Sequence, residues 1–267
     1  MSTTEASLRD SAALQATYYA AGIAFLALAK LKYLTRGYLT PKVVGADDVA
    51  GCVSYDRKIA RIFLQHVDVK GKRVLELGPG SDLGVGMLLV QAGARGYVGV
   101  DRNPLVSERS AAVHAALGGD VDGVRYEVVP DFQFTAKLGQ GQFDVIVSNA
   151  AFEHFDDVPD VARQLATVVK PGGKLSVHID LKTHSRWIRD RDPANIYRYP
   201  GWLYRLFYFP GQPNRLRPAD YRRAFMDAGW KNVRTSPVDR TSRVGMVHGA
   251  FDPGDMDQMT VLLEADR

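Results

Sequence analysis

One stretch of eleven residues, Val74-Leu75-Glu76-Leu77-Gly78-Pro79-Gly80-Ser81-Asp82-Leu83-Gly84, limits what this chain can fold into more than any other. Its small apolar residues read as a buried strand. The glycines that follow let the backbone turn sharply and approach a ligand that a Cβ would exclude, and a helix starting beyond them offers that ligand unpaired N–H groups. Spacing then narrows the ligand. A dinucleotide fingerprint places glycines at the first, third and sixth positions of the turn, and the sixth here is Leu83. A Walker loop needs a Gly-Lys-Ser/Thr that does not follow. What survives is acidic-x-Gly-x-Gly, a nucleotide-cofactor cradle of neither kind.

Downstream, strand and helix patterns alternate. Arg73 to Leu77 is the first strand and Val85 to Ala92 its helix; Tyr97 to Val100 is the second strand, followed by a helix from Leu105 to Leu117 opened by Pro104. Val124 to Val129 and Phe143 to Ser148 are the third and fourth strands, Val158 to Val169 a helix ended by Pro171-Gly172-Gly173, and Lys174 to Ile179 the fifth strand. A helix from Ala219 to Ala228 and strands near Asn232 to Ser236 and Met259 to Ala265 close the chain. Such alternation predicts an α/β fold, a doubly wound, mostly parallel, seven-stranded sheet with right-handed crossovers. Ahead of it, Pro41 to Gly51 reads as a connection, and Ile59, Ile62, Phe63 and His66 share one face of an amphipathic helix. The chain has 267 residues, 46% of them hydrophobic, enough for one sizeable core. The expected organisation is an N-terminal helical segment over 1–50 and one catalytic domain over 51–267, with a substrate lid inserted at about 182–218.

The glycine loop and four later segments, in order from about Lys72 to Ile179, resemble the class I S-adenosylmethionine-dependent methyltransferases of the small-molecule type. The resemblance implies S-adenosyl-L-methionine as cofactor. Glu76 then faces the donor's amino-acid moiety, and Gly78, Pro79 and Gly80 form the turn that binds the cofactor. Asp101, at the end of the second strand with Arg102 beside it, clamps the ribose hydroxyls. Asp131 accepts from the adenine amine while Phe132 covers the base, and Asn149 and Ala150 follow the fourth strand. Pro130-Asp131-Phe132 departs from the Gly-Asp-Ala common in the family at that place. Asn149-Ala150-Ala151-Phe152 lacks the prolines of enzymes that methylate base amines, and no cysteine stands where C5-pyrimidine methyltransferases carry a nucleophile. The acidic pair expected of aminopropyl transfer is replaced by Ser148-Asn149.

Methyl transfer to a hydroxyl needs an in-line acceptor and a base. His154, just past the fourth strand, and Asp180 and His184, just past the fifth, are the candidates. Alternation places His178 and Asp180 on one side of the strand. Glu153, His154, Asp180 and His184 also suit a magnesium-type site, although Ala150 stands where metal-dependent relatives carry a glutamate.

From Arg186 to Arg223 aromatics alternate with arginines, a lid that offers flat faces and anion forks together. With a loose likeness to glycan-cluster methyltransferases around Asp180 to His184 and Asn214 to Arg217, this favours a small polar acceptor, a saccharide or sugar-phosphate hydroxyl. The alternatives are a quinone, lipid or other natural product methylated on O, N or C, and, behind those, RNA. The net charge of +4 is modest, so no nucleic-acid partner is expected. A cofactor binder without turnover is the remaining class.

Cys52 is the only cysteine, which excludes an intrachain disulfide and suits a reducing, cytoplasmic setting. From Ser11 to Ala29 no residue is charged, and Lys30, Lys32 and Arg36 follow. That order is the reverse of a secretory signal. Residues 11–36 therefore read as a helix packed on the domain, a helix at a membrane surface or a span, and peripheral membrane association is open.

Overall fold

The structure is a computed structural model, and it describes residues 12–37, 48–106, 110–119 and 122–267. Two helices precede the sheet: α1, Ala12–Arg36, and α2, Val49–His66. Helix α2 starts ten residues ahead of the expected face because Asp48 accepts from the Gly51 N–H at 2.8 Å and caps it. There follow β1 (Arg73–Leu77), α3 (Gly84–Gln91), β2 (Gly96–Asp101), α4 (Ser110–Ala116), β3 (Val124–Val128), α5 (Thr135–Leu138), β4 (Phe143–Asn149), α6 (Val158–Val168), β5 (Val169–Asp180), α7 (Gly201–Leu206), α8 (Pro218–Asp227), β6 (Lys231–Arg240) and β7 (Gln258–Asp266).

The seven strands lie in the order β3-β2-β1-β4-β5-β7-β6. The first five are parallel and β7 runs antiparallel to both β5 and β6. Strand order reverses between β1 and β4, and that switch point is where an open α/β sheet forms its ligand crevice. Alternating side chains feed two cores. Leu75, Leu77 and Ile146 pack with Phe152, Leu165, Phe225 and Trp230 on the α6 and α8 face; Val74, Val145 and Val147 pack with Ile59, Phe63, Val85 and Leu89 on the α2 and α3 face.

Three expectations are corrected at element ends. Pro104 does not open a helix: the Leu105 N–H is taken by the Asn103 carbonyl and the Tyr126 hydroxyl, α4 begins at Ser110, and residues 107–109 lie outside the described residues. Pro171-Gly172-Gly173 does not end the secondary structure, because Gly172 and Gly173 pair with Arg267 and carry β5 back to Val169. Strand β6 extends to Arg240 as an exposed edge broken by Pro237 and several register shifts, the form in which an edge strand avoids pairing further.

The 182–218 segment is a packed cap around a third core of Ala194, Ile196, Tyr197, Tyr199, Tyr204, Met256 and Met259. Six of the residues expected to offer flat faces and anion forks serve this packing, whereas Trp187, Trp202, Tyr208, Arg186 and Arg205 are exposed. Tyr197, Tyr199 and Tyr204 are buried; Arg198 pairs with Asp192 at 2.7 Å, Arg215 donates to the Ile196 and Tyr199 carbonyls, and Arg217 pairs with Asp255. Helix α1 lies on the cap. Its one buried residue is Gly22, where a Cβ would stand 1.9 Å from the Tyr199 hydroxyl oxygen.

Candidate functional site

The carboxyl ends of β1, β2, β4 and β5 open into one cavity of about 1110 Å³. The β1 turn is held to β2 by the Gly78 N–H donating to the Val100 carbonyl at 2.9 Å, and Ser148 ties β4 to β1 by donating to the Leu77 carbonyl at 2.7 Å. Gly78 and Gly80 have φ of +69° and +82°, and a Cβ at Gly78 would stand 2.5 Å from that of Ala151. Only glycine fits there without strain. Leu83, at the place of the missing third glycine, is itself left-handed at φ 61°, and the close helix packing that glycine usually allows is moved one residue on to Gly84, where a Cβ would meet Asp56 and Leu117. Phe132 and Ala150 also line the cavity with positive φ, so non-glycine strain gathers at its rim.

Of the residues singled out in the sequence, Glu76, Gly78, Pro79, Gly80, Asp101, Arg102, Phe132, Asn149, Ala150, His154, Asp180 and His184 all line this cavity. Asp131 does not. It is exposed, and its carboxylate accepts from the Gln133 N–H at 3.0 Å, because the turn after β3 aims Phe132 inward and the neighbouring side chain outward. His178, on the same strand as Asp180, is a core residue: it is buried against His66 from α2, with ring centroids 6.0 Å apart, and does not line the cavity.

At the β1 end the cavity is acidic. Glu76 is 2% exposed and accepts from the Tyr97 hydroxyl at 2.6 Å; burial, with Asp56 and Asp82 nearby, pushes it up to about 8. Asp56, on α2, is raised to about 7 by burial and by Asp82. No cationic side chain contributes to either shift, and among the described residues Asp56 Oδ2 has no hydrogen-bond partner. Buried carboxyls without a counter-ion suit a ligand that brings its own positive charge, as the ammonium and sulfonium of the expected donor would. Asp101 accepts from the Asn103 N–H, and burial raises it. Arg102 pairs with Asp156 at 3.1 Å and lies 6.0 Å over the Phe132 ring. Asn149 donates to the Tyr55 hydroxyl at 3.1 Å.

At the β4 and β5 end two imidazoles meet edge to face with centroids 4.7 Å apart. His154 Nδ1 lies 2.6 Å from the Gly211 carbonyl, and His184 Nδ1 lies 3.0 Å from that of Lys182. A carbonyl only accepts, so both Nδ1 atoms carry the proton and both Nε2 atoms keep a lone pair. Burial, then the neighbouring His184, pushes His154 down to about 4; burial lowers His184. Glu153, 2% exposed, lies with His184 Nε2 3.9 Å from its Oε1, and burial and Asp180 hold it well above the carboxylate range. One potential ligand atom from each of Glu153, His154 and His184 falls within 4.8 Å of the others. Asp180 is not part of that cluster; its carboxylate pairs with Arg189.

Sequence reading missed Tyr33, Tyr55, Asp56 and Phe155, which also line the cavity. Asp56 had a readable signal: it shares the Ile59, Ala60 and Phe63 face of α2, and a carboxylate on a buried face is rarely idle.

A methyltransferase-domain family model matches residues 53–235. Over 110 residues the chain is 32% identical to the ubiquinone biosynthesis O-methyltransferase of Neisseria meningitidis serogroup C, covering 41% of this chain and 44% of that protein. Over 113 residues it is 34% identical to the arsenite methyltransferase of Aquipseudomonas alcaligenes, covering 39% and 32%. The chain thus spans less than half the length of the curated relatives it matches. The solved S-adenosylmethionine-dependent methyltransferase of Mesorhizobium loti shares the fold, with a TM-score of 0.52 at 20% identity over 84% of this chain and 100% of that one. Because the family match covers more than half of the chain and the seven-stranded sheet agrees with it, the chain belongs to the class I S-adenosylmethionine-dependent methyltransferases, enzymes whose methyl donor is S-adenosyl-L-methionine.

Proposed function

We propose that this enzyme methylates a weakly acidic hydroxyl, phenolic or enolic, on a small acceptor bound between His154, His184 and Arg189. The observation that carries the reading is the pair of neutral imidazoles, each with Nδ1–H fixed on a backbone carbonyl and Nε2 left as an acceptor. The donor, when bound, supplies an electrophilic methyl; what remains for the protein is to hold the acceptor oxygen in line and take its proton. An imidazole held at about 4 is a weak base. It is matched poorly to a sugar alcohol and better to a hydroxyl nearer the phenol value of about 10.

On this reading Glu76, with Asp56 and Asp82, receives the donor's positive charge, the turn from Gly78 to Gly80 passes beneath it, Asp101 takes the ribose, Phe132 covers the adenine, and Asn149 and Ala150 complete the wall. His154 is the base, His184 orients the acceptor, and Asp180 positions Arg189 toward any anionic group. The 182–218 insertion acts as a fixed cap. The saccharide reading loses part of its support, because Tyr197, Tyr199, Tyr204, Arg198, Arg215 and Arg217 are spent inside that cap, while Arg186 and Arg189 still line the cavity. Competitive turnover of a catechol and a sugar-phosphate panel tests the choice; preferential methylation of the sugar-phosphates would sink it.

The 4.8 Å grouping of Glu153, His154 and His184 favours a second reading, in which these three hold a divalent cation that acidifies the acceptor. Full activity after EDTA treatment and gel filtration removes it.

A further inference from the structure

Helix α1 carries an outward face that water alone does not explain. With Gly22 as the buried reference and 3.6 residues per turn, Leu31 lies about 180° away, directly outward. Around it Ala20, Ala24, Ala27, Leu28 and Leu34 are exposed, and Leu28, Leu31 and Leu34 are 58%, 56% and 69% accessible. The polar groups on this side turn inward on the helix itself: the Thr17 hydroxyl donates to the Ala13 carbonyl and that of Thr35 to the Leu31 and Lys32 carbonyls. No acidic residue occurs from Ala12 to Arg36. Lys30 and Lys32 project about 80° to either side of the buried line, flanking the apolar face where snorkelling side chains of an interfacial helix belong.

The patch does not end with the helix. Lys30 Nζ donates to the Leu206 carbonyl at 2.8 Å and brings α7 alongside, and there Trp202 and Leu206, one helical turn apart, are exposed beside Arg205.

We infer that this face, α1 with the Trp202 and Leu206 side of α7, docks the enzyme on the surface of an anionic lipid bilayer. The charge pattern selects this occupant: a large apolar face flanked by Lys30, Lys32 and Arg205, with no carboxylate among the residues of α1 and α7, is complementary to apolar chains beneath anionic headgroups. A span is disfavoured by the inner face. The Tyr18 and Tyr19 carbonyls accept from Asn195 and Tyr199, and Arg198 donates to Gln15, so leaving the cap would break all three contacts. Tyr33, on the inner side, stacks on Phe209 and lines the cavity, so one helix diameter of about 10 Å separates the docked surface from the cavity wall. Docking stands whatever hydroxyl is methylated.

The test is co-sedimentation of the full chain with phosphatidylcholine vesicles, with and without phosphatidylglycerol. The wild type is expected to pellet with the anionic vesicles and to be released by high salt. Leu31→Glu lowers that binding about tenfold or more. Lys32→Gln lowers it about fivefold on anionic vesicles and leaves binding to neutral ones unchanged. Both variants keep wild-type affinity for S-adenosylhomocysteine, which reports an intact fold. Wild-type protein that stays in the supernatant, or Leu31→Glu that pellets like wild type, overturns the proposal. So does a lipid-free dimer abolished by Leu31→Glu, which would make a second copy the occupant, and so does protein that resists alkaline carbonate, which would make α1 a span.

Discussion

At the β1 and β2 end of the cavity the titratable groups withdrawn from water are carboxyls, Glu76, Asp56 and Asp101; at the β4 and β5 end they are two half-buried imidazoles, His154 and His184, with the buried Glu153 beside them. One cause, removal from water, acts on both and favours the neutral form of each, with opposite consequences. A neutral carboxyl raised toward 7 or 8 ionises readily once a cation arrives. A neutral imidazole lowered toward 4 keeps its lone pair and does not compete for protons with solvent. On the proposed reading the first arrangement suits holding a charged donor and the second suits receiving a proton from an acceptor, and the two ends differ in which residue type is withdrawn from water.

The comparison breaks first at His154. His154→Ala is expected to lower kcat about 10²- to 10⁴-fold while leaving S-adenosylhomocysteine affinity unchanged; a matched loss of affinity in calorimetry would merge the two ends into one. Gly78→Ala should do the reverse, weakening S-adenosylhomocysteine binding about tenfold to 100-fold, since it adds a Cβ against Ala151 at φ +69°. Wild-type affinity in that variant would show the turn to be uninvolved.

Cofactor binding should also release protons. Glu76 and Asp56 are neutral below about 8 and 7, and a bound cation lowers both, so affinity rises with pH across that window by up to about tenfold per unit for each carboxyl that ionises. The ligand-free fold changes in the opposite sense. The two groups bind protons more tightly folded than unfolded, so stability is highest below their ordinary values near 4 and declines as pH rises toward 8. Calorimetry in buffers of different ionisation heat measures the release, and a pH-independent Kd would contradict it. At the other end, the acid limb of kcat/KM should lie well below 6.5, since His154 stays unprotonated down to about 4; a limb at 6.5 would point to an exposed histidine instead.

The smallest effect separates cap from site. Tyr199→Phe removes a buried hydroxyl bonded to Asn195 and should cost about 1 kcal/mol of stability, read by denaturant titration, with KM unchanged. A raised KM would return the cap aromatics to the acceptor.

Much of this was legible in the chain itself. The run Val74-Leu75-Glu76-Leu77 gave both strand and turn because a parallel strand buried on both faces needs an unbroken apolar run, and the only carboxylate in it had to have a purpose. Asp101 and Asn149 could be placed because strand ends at a switch point converge whatever the loops do. Asp131 could not: one residue of a turn decides which neighbour faces inward, and Phe132 took that place at φ 57°. The lid was only partly legible for a related reason. Interleaved arginines and aromatics look the same in sequence whether they await a ligand or satisfy one another.

By itself, then, the sequence determined the order of elements, the glycine turn and the identity of the donor, all properties of local spacing and of one unbroken pattern. The tertiary structure decided the rest. Asp56 on α2 meets Glu76 on β1, His184 beyond β5 meets Glu153 beyond β4, and Arg198 turns into its own cap to meet Asp192. Those pairings depend on which distant groups burial brings together without water, and burial belongs to the packed molecule, not to any segment of its chain.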